Sequence, residues 1–209
     1  MNVLIADDHG IVRRGLKDIL ADEFPKLRVT EASNAQEALV ASRKQTWDLV
    51  LLDIKMSGRS GLEFLDELKK LQPKTPVVIV SAFPEGEYAI RAFKLGAAAY
   101  VAKEGASDEL LAAVRKVLSG GRYITSVLAE KLAATLSGET PTNPHETLSN
   151  RELEVLRLVA TGKTIKEIGA ELHLSEKTVG TYRLRLSKKL NLSTNVELAR
   201  YAIQHQLAD

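Results

Sequence analysis

The feature that most constrains the fold is a regular alternation of short apolar runs with longer stretches of helical period. The apolar runs have the length and composition of strands, and the stretches between them repeat apolar residues at helical spacing. Five such units follow one another within residues 1–120. This alternation predicts a parallel sheet covered by helices on both faces. The almost continuously apolar runs at 49–52 and 77–80 agree with strands that are buried on both faces.

The chain changes character after the fifth unit. Residues 119–147 contain a glycine pair, a short helical stretch around 126–136 and a polar segment with two prolines, whose end we interpret as a linker. Only helical patterns follow. We therefore predict an α/β domain at 1–120, a linker with a short helix at 121–144, and a small all-α domain at 145–209.

Composition narrows the classes of function. With 44% hydrophobic and 27% charged residues, the chain has the composition of an ordinary soluble globular protein. No apolar run reaches transmembrane length and no secretory signal is visible, so we expect a cytoplasmic protein. The chain has no cysteine, and its four histidines lack the spacing of metal ligands. Disulfides, iron–sulfur clusters and thiolate zinc sites are excluded, and a transition-metal enzyme is not expected.

Polar residues stand at the carboxyl ends of four predicted strands. Asp7 and Asp8 follow the first strand, Asp53 the third, Ser81 the fourth and Lys103 the fifth. In a parallel α/β sheet, ligands bind outside this edge, at the point where the strand order reverses. Three carboxylates, a hydroxyl and an ammonium group are therefore expected to meet in one crevice.

Such a group of charges predicts phosphoryl-transfer chemistry. Three close carboxylates repel one another unless a cation lies among them, and oxygen ligands at a shallow, watery site suit Mg²⁺. With Mg²⁺ bound, one carboxylate can accept a phosphoryl group as an aspartyl phosphate. Lys103 would neutralise one phosphoryl oxygen, and Ser81 could donate a hydrogen bond to another. A single aspartate at a strand end is more often a turn former or a helix N-cap, but the combination of strand ends favours the functional interpretation.

Residues 1–120 resemble the receiver domain of two-component response regulators. The likeness rests on the motifs ADD, LLDIKMSGRSG, VSA and YVAK. It implies a doubly wound, flavodoxin-like sheet of five parallel strands, and a sensor histidine kinase that phosphorylates Asp53. It also implies that Mg²⁺ is held by Asp7, Asp8, Asp53 and the backbone carbonyl of Lys55.

The same resemblance implies a conformational switch. Ser81 would move toward the phosphoryl group, and Tyr100 would turn inward into the vacated space. Two residues depart from the family pattern, because Ser57 and Glu104 stand where many relatives have proline. Ser57 bears on the loop beyond the phosphoacceptor, and Glu104 removes the usual case for a cis peptide bond at that position.

A basic stretch distinguishes the helical part of the chain. Five basic residues and no acidic one lie within 177–189, namely Lys177, Arg183, Arg185, Lys188 and Lys189. A short helix, a tight turn and this second helix make a helix-turn-helix pattern, in which the second helix enters the DNA major groove. Val179, Leu186 and Leu190 fall near one face and should pack inward. The DNA-contacting residues are then predicted to be Lys177, Thr178, Gly180, Thr181, Tyr182, Leu184, Arg185 and Lys188.

Residues 145–209 resemble the four-helix DNA-binding domain of the family named after the quorum-sensing regulator LuxR and the nitrate regulator NarL. The likeness rests on LSNRELEVL, IGAELHLSEKTV and KKLNL. It implies that the helix at 176–190 reads DNA and that a last helix near 194–206 forms a dimer. Gly180 and Tyr182 depart from residues common in relatives, so the target sequence cannot be carried over.

Together these features predict a NarL-type response regulator that is a transcription factor rather than an enzyme. Its predicted partners are a sensor histidine kinase, double-stranded promoter DNA and a second copy of the chain, with RNA polymerase as a further candidate and no membrane. A Mg²⁺-dependent phosphatase or phosphotransferase is one alternative, although Lys55 stands where such enzymes usually have a second acid. The other is a DNA-binding protein whose receiver only dimerises and is never phosphorylated, which Ser57 leaves open.

Overall fold

A computed structural model describes residues 1–56, 58–83, 85–103, 105, 107–137, 143–205 and 207–208. Ser57 and Glu104, the two departures from the receiver pattern, lie outside the described residues, as does the part of the predicted linker at 138–142. The chain divides into two compact units, Met1–Ala133 and Ala134–Asp209.

The strands of the first unit form one sheet, and all neighbouring strands run parallel. In the described part of the chain they are β1 (Asn2–Ala6), β2 (Arg28–Ala32), β3 (Leu49–Leu52), β4 (Val77–Ser81) and β5 (Ala99–Ala102). Their order is β2-β1-β3-β4-β5, so the order reverses at β1 and its neighbour β3. This confirms the predicted five-stranded parallel sheet and places its switch point beside the first strand.

Helices cover both faces of this sheet. They are α1 (Gly10–Glu23), α2 (Ala35–Lys44), α3 (Gly61–Leu71), α4 (Glu87–Lys94) and α5 (Ser107–Leu118). A further helix, α6 (Ser126–Ser137), follows along the chain and spans the division between the two units. An apolar core joins Val3 and Ile5 of β1 with Leu20 of α1 and Val114 of α5, so α1 and α5 lie on one face. Helix α3 packs against α2 and α4, and these three helices cover the opposite face of the sheet. The sheet is therefore doubly wound, as predicted.

The second unit is helical. A short 3₁₀ helix (Pro144–Thr147) precedes α7 (Asn150–Ala160), α8 (Ile165–Leu172), α9 (Glu176–Leu190) and α10 (Asn195–Gln204). The side chains of Ser149, Ser175 and Thr194 each accept a backbone hydrogen bond at the start of a helix, so these three residues are N-caps. Their short polar side chains explain why α7, α9 and α10 begin at these positions.

A tight turn joins α8 to α9. His173 ends α8 with a positive φ of 53°, and the backbone N–H of Leu174 donates to the carbonyl of Gly169. A Cβ at Gly169 would lie 2.8 Å from the carbonyl oxygen of Leu174, so the close approach needs glycine there. The turn produces the predicted helix-turn-helix arrangement. None of the helices that the structure describes is long and apolar enough to cross a membrane.

Candidate functional site

The carboxyl ends of β1 and β3 bring three aspartates together. The backbone N–H of Asp53 donates to the carbonyl of Ala6 at 2.8 Å, which aligns the two strand ends. One carboxylate oxygen each from Asp7, Asp8 and Asp53 and a ring nitrogen of His9 lie within 4.8 Å of one another. Asp7 and Asp53 are buried, with exposed fractions of 1% and 2%, whereas the Asp8 side chain is partly exposed. A cation approaching from solvent would reach Asp8 first.

Lys103 joins the two buried aspartates. It directly follows β5, and its Nζ lies 2.6 Å from Asp7 Oδ2 and 2.6 Å from Asp53 Oδ2. Burial opposes the charged form of Lys103, but the hydrogen bonds and charges of Asp53 and Asp7 outweigh it and raise the pKa of the ammonium group. The ammonium group is therefore a fixed positive charge beside Asp53.

The environment of Asp53 makes its ionisation sensitive to a nearby cation. Burial raises the pKa of Asp53 to about 6, against the opposing effects of Lys103 and of the backbone N–H of Lys55. Three carboxylates and one ammonium group leave two formal negative charges, which one divalent cation would neutralise. The oxygen donors fit Mg²⁺, whereas the exposed ring of His9 is a ligand that Mg²⁺ rarely takes.

Ser81 and Tyr100 converge on the backbone of Phe83. The Ser81 hydroxyl oxygen accepts a hydrogen bond from the Phe83 N–H at 3.1 Å, and the Tyr100 hydroxyl donates to the Phe83 carbonyl at 2.9 Å. Ser81 is fully buried and Tyr100 is 1% exposed, so the tyrosine ring lies inward. Phe83 stands two residues beyond Ser81 in the sequence, where we expect it at the mouth of the crevice, but its main-chain contacts with Ser81 and Tyr100 leave no signature in the residue pattern.

The loop after Asp53 depends on a glycine that sequence reasoning did not single out. The N–H of Gly61 donates to the carbonyl of Ile54 at 2.9 Å, and a Cβ at position 61 would lie 2.0 Å from the carbonyl oxygen of Asp53. The Lys55 N–H donates to Asp53 Oδ1 at 3.1 Å. This contact orients the carboxylate, while the proposed role of the Lys55 carbonyl stays a prediction. Gly61 is the last residue of the motif LLDIKMSGRSG, and this glycine was the available sequence signal for the close approach of the two backbone segments.

In the second unit, one face of α9 is buried and the opposite face is exposed. Val179, Leu186 and Leu190 are buried, which confirms the predicted inward face. Five of the predicted DNA-contacting residues are exposed, namely Lys177, Thr181, Leu184, Arg185 and Lys188. The other three are partly buried, namely Thr178, Gly180 and Tyr182. Thr178 lies in the first turn of α9, where its hydroxyl is 2.7 Å from that of the N-cap Ser175.

The basic stretch of α9 divides into two groups. Arg183 Nε donates to Asn195 Oδ1 at 2.8 Å, which links α9 to the start of α10. Lys189 Nζ lies 2.6 Å from Glu152 Oε2 and 3.0 Å from the carbonyl of Thr147, which links α9 to α7 and the segment before it. These two cations act within the domain, and the other three are exposed. Sequence spacing alone could not separate the groups, because both consist of the same residue types.

Comparisons with known proteins cover both units. The family model described as "Response regulator receiver domain" matches residues 3–115, and "Bacterial regulatory proteins, luxR family" matches 146–202. The response regulator GacA of Pseudomonas aeruginosa is 36% identical across 100% of this chain and 98% of that protein. The response regulator UvrY of Escherichia coli K12 is also 36% identical, across 100% and 96%.

The chain is also similar to solved structures of response regulators. An RcsB response regulator of Salmonella typhimurium is similar with a TM-score of 0.71 and 26% identity, over 98% of this chain and 97% of that one. RcsB of Salmonella enterica serovar Typhimurium, solved bound to promoter P1flhDC in the presence of phosphomimetic BeF3⁻, has a TM-score of 0.65 and 25% identity, over 96% and 97%.

Proposed function

Because this chain belongs to the two-component response regulators that join a receiver domain to a LuxR-family DNA-binding domain, we propose that Mg²⁺-dependent phosphorylation of Asp53 controls its binding to promoter DNA. The chain is a transcription regulator and not a catalytic enzyme, so we reject the phosphatase alternative. The observation that carries the proposal is the contact of the Lys103 ammonium group with Asp53, a buried aspartate at the switch point of the sheet.

Asp53 is the proposed phosphoacceptor. One of its carboxylate oxygens would bond to phosphorus while the bond from phosphorus to the kinase histidine breaks. Lys103 lies where it can neutralise charge on the phosphoryl group, and the Ser81 hydroxyl can donate to another phosphoryl oxygen. Asp7, Asp8, Asp53 and the Lys55 carbonyl would hold Mg²⁺, which supplies positive charge that favours the ionised form of Asp53.

The proposed output is DNA binding by α9 as a dimer. RcsB, a relative in fold, has been solved on promoter DNA with a phosphomimetic present, which supports DNA as the partner of this chain. Val196 and Ile203 on α10 are 78% and 55% exposed and lie seven residues apart, on one side of the helix. This apolar stripe supports the proposed homodimer through α10, which suits half-sites about one helical turn apart. We also propose the kinase and RNA polymerase as protein partners and the cytoplasm as the compartment, because promoter DNA lies there.

Intact-protein mass spectrometry tests the phosphoacceptor directly. Wild type incubated with Mg²⁺ and acetyl phosphate should gain a single phosphoryl adduct, which should be absent from Asp53→Asn and reduced by a chelator. Asp66→Asn is a matched control, because Asp66 is a partly exposed aspartate on α3 and is not part of the acidic cluster. A folded wild-type protein without an adduct would instead favour the phosphorylation-independent DNA-binding protein.

A further inference from the structure

The loop between β4 and α4 contacts the start of α6. The hydroxyl of Thr125 donates to Glu85 Oε2 at 2.5 Å, although the two residues are 40 positions apart in the chain. Glu85 lies four residues after Ser81, and Thr125 directly precedes α6. The contact therefore joins the loop that begins at a proposed switch residue to the helix that leads out of the receiver.

Thr125 also begins α6. Its hydroxyl oxygen accepts from the Leu128 N–H at 3.2 Å, and its carbonyl accepts from the Ala129 N–H at 2.9 Å. Leu128 is 1% exposed, so the first turn is also fixed by packing. A hydroxyl that donates to a carboxylate is a better acceptor for a second donor, so Glu85 strengthens this N-cap.

The same loop contacts the switch residues at its other end. Phe83 is hydrogen-bonded through its N–H to Ser81 and through its carbonyl to Tyr100, and its ring stacks on Tyr88 with centroids 4.8 Å apart. Only one position separates Phe83 from Glu85. A change in the Ser81 hydrogen bond must therefore be accommodated within a few residues of the contact with Thr125.

We propose that Glu85 and Thr125 are positioning residues that couple the phosphorylation state of Asp53 to helix α6. The inference rests on the proposed function. When the Ser81 hydroxyl turns toward a phosphoryl oxygen, the Phe83 N–H loses its acceptor and the loop has to adopt a new position. Glu85 moves with the loop and leaves Thr125, which weakens the first turn of α6. Helix α6 thus transmits the state of the receiver into the connection that follows it.

Hydrogen exchange of the full chain tests the coupling. The reporters are the amides of Leu128 and Ala129, with and without acetyl phosphate and Mg²⁺, and mass spectrometry confirms the adduct in each sample. In wild type, phosphorylation should speed exchange at these amides at least threefold. Glu85→Ala should show the faster exchange before phosphorylation and little further change. Glu130→Ala, which removes an exposed glutamate from the same helix, should behave as wild type.

Substitutions at Thr125 separate coupling from a purely structural role. Thr125→Ser keeps the hydroxyl and should keep the response to phosphorylation, whereas Thr125→Val should lose it. Two results would overturn the coupling without contradicting the proposed function. One is an adduct at Asp53 with unchanged hydrogen exchange at Leu128 and Ala129, and the other is a full exchange response to phosphorylation in Glu85→Ala. Absence of the adduct in wild type would overturn the proposed function, and the coupling with it.

Discussion

At the scale of single residues, Gly61 has the narrowest tolerance near the proposed phosphoacceptor. A Cβ there would lie 2.0 Å from the Asp53 carbonyl oxygen and 2.9 Å from the Ile54 Cα, and neither backbone atom can rotate away. Gly61→Ala should therefore destabilise the receiver by about 3 kcal/mol and lower the yield of phosphoryl adduct at Asp53. Denaturant unfolding and intact-protein mass spectrometry measure the two effects.

Gly15 in α1 is the matched control for this substitution. Among the described residues no atom beyond its neighbours comes within 4 Å of a Cβ built there. Gly15→Ala should stabilise the protein by about 0.5–1 kcal/mol, because alanine loses less backbone entropy in a helix. Equal losses of stability in the two variants would show that the close approach at Gly61 is not the cause.

Leu184 is an apolar residue on a face whose other exposed residues are polar and mostly basic. It is 56% exposed on α9, beside the exposed Arg185. The apolar group that the major groove offers is the thymine methyl. In an operator obtained by selection, replacing a thymine by deoxyuridine removes this methyl group. At one position the replacement should therefore weaken wild-type binding about fourfold, which is the effect of about one buried methyl group. Binding by Leu184→Ala should not respond to that replacement at any thymine.

A receiver variant controls for indirect effects of removing an exposed apolar side chain. Ile11→Ala removes a residue that is 83% exposed in α1, and it should keep the full response to deoxyuridine. If deoxyuridine weakened binding by Leu184→Ala as much as binding by wild type, Leu184 would not be a residue that recognises thymine.

At the scale of elements, one ion pair joins two helices of the DNA-binding domain. Glu152 on α7 is 3% exposed and contacts Lys189 on α9. Burial works to raise the pKa of Glu152, but hydrogen bonds from Lys189 and Ser149 outweigh it and hold the pKa below 4.5. A depressed folded-state pKa gives stability that is present above the unfolded value and is lost as pH falls through the folded value.

Glu152→Gln should therefore destabilise the protein at neutral pH and not in acid. The expected loss is about 1–3 kcal/mol at pH 7, since the variant leaves the Lys189 ammonium group without its carboxylate. The difference from wild type should shrink once the pH falls below 4.5 and the wild-type carboxyl takes up its proton. Chemical denaturation across pH measures it, and Glu176→Gln, at an exposed position in α9, should change stability by less than about 0.5 kcal/mol.

Elements with a strong local signal could be predicted from the sequence. The buried strand at Leu49–Leu52 and the helix at Glu176–Leu190 lie where the periodicity placed them, because apolar spacing and the Ser175 cap act over a few residues. The meeting of Asp7 with Asp53 also followed, since parallel strands end at one edge. The contact of Glu85 with Thr125 did not, because it joins positions 40 residues apart and no local pattern encodes it.

At the scale of the whole molecule, each compact unit carries a core and a chemistry of its own. The acidic cluster lies entirely within Met1–Ala133, and the basic face of α9 lies entirely within Ala134–Asp209. The family matches end and begin at 115 and 146, so the predicted boundaries at 120 and 145 stay predictions. The proposed signal from Asp53 to DNA has to pass from the first unit to the second, and the proposed Mg²⁺ site belongs to the first.

Mg²⁺ should therefore stabilise one unit and not the other. A ligand that binds only the folded state adds RT ln(1 + [L]/Kd), about 1.4 kcal/mol at ten times Kd, which raises the Tm of a domain of this size by roughly 5 °C. Trp47 is the chain's one tryptophan and is buried in the receiver, so its fluorescence follows that unit alone. Adding Mg²⁺ should raise the transition seen by Trp47 and leave the melting of the helical unit, followed by calorimetry, unchanged. Asp8→Asn, which removes a partly exposed carboxylate, should abolish the shift. An equal shift in that variant would place Mg²⁺ outside the acidic cluster.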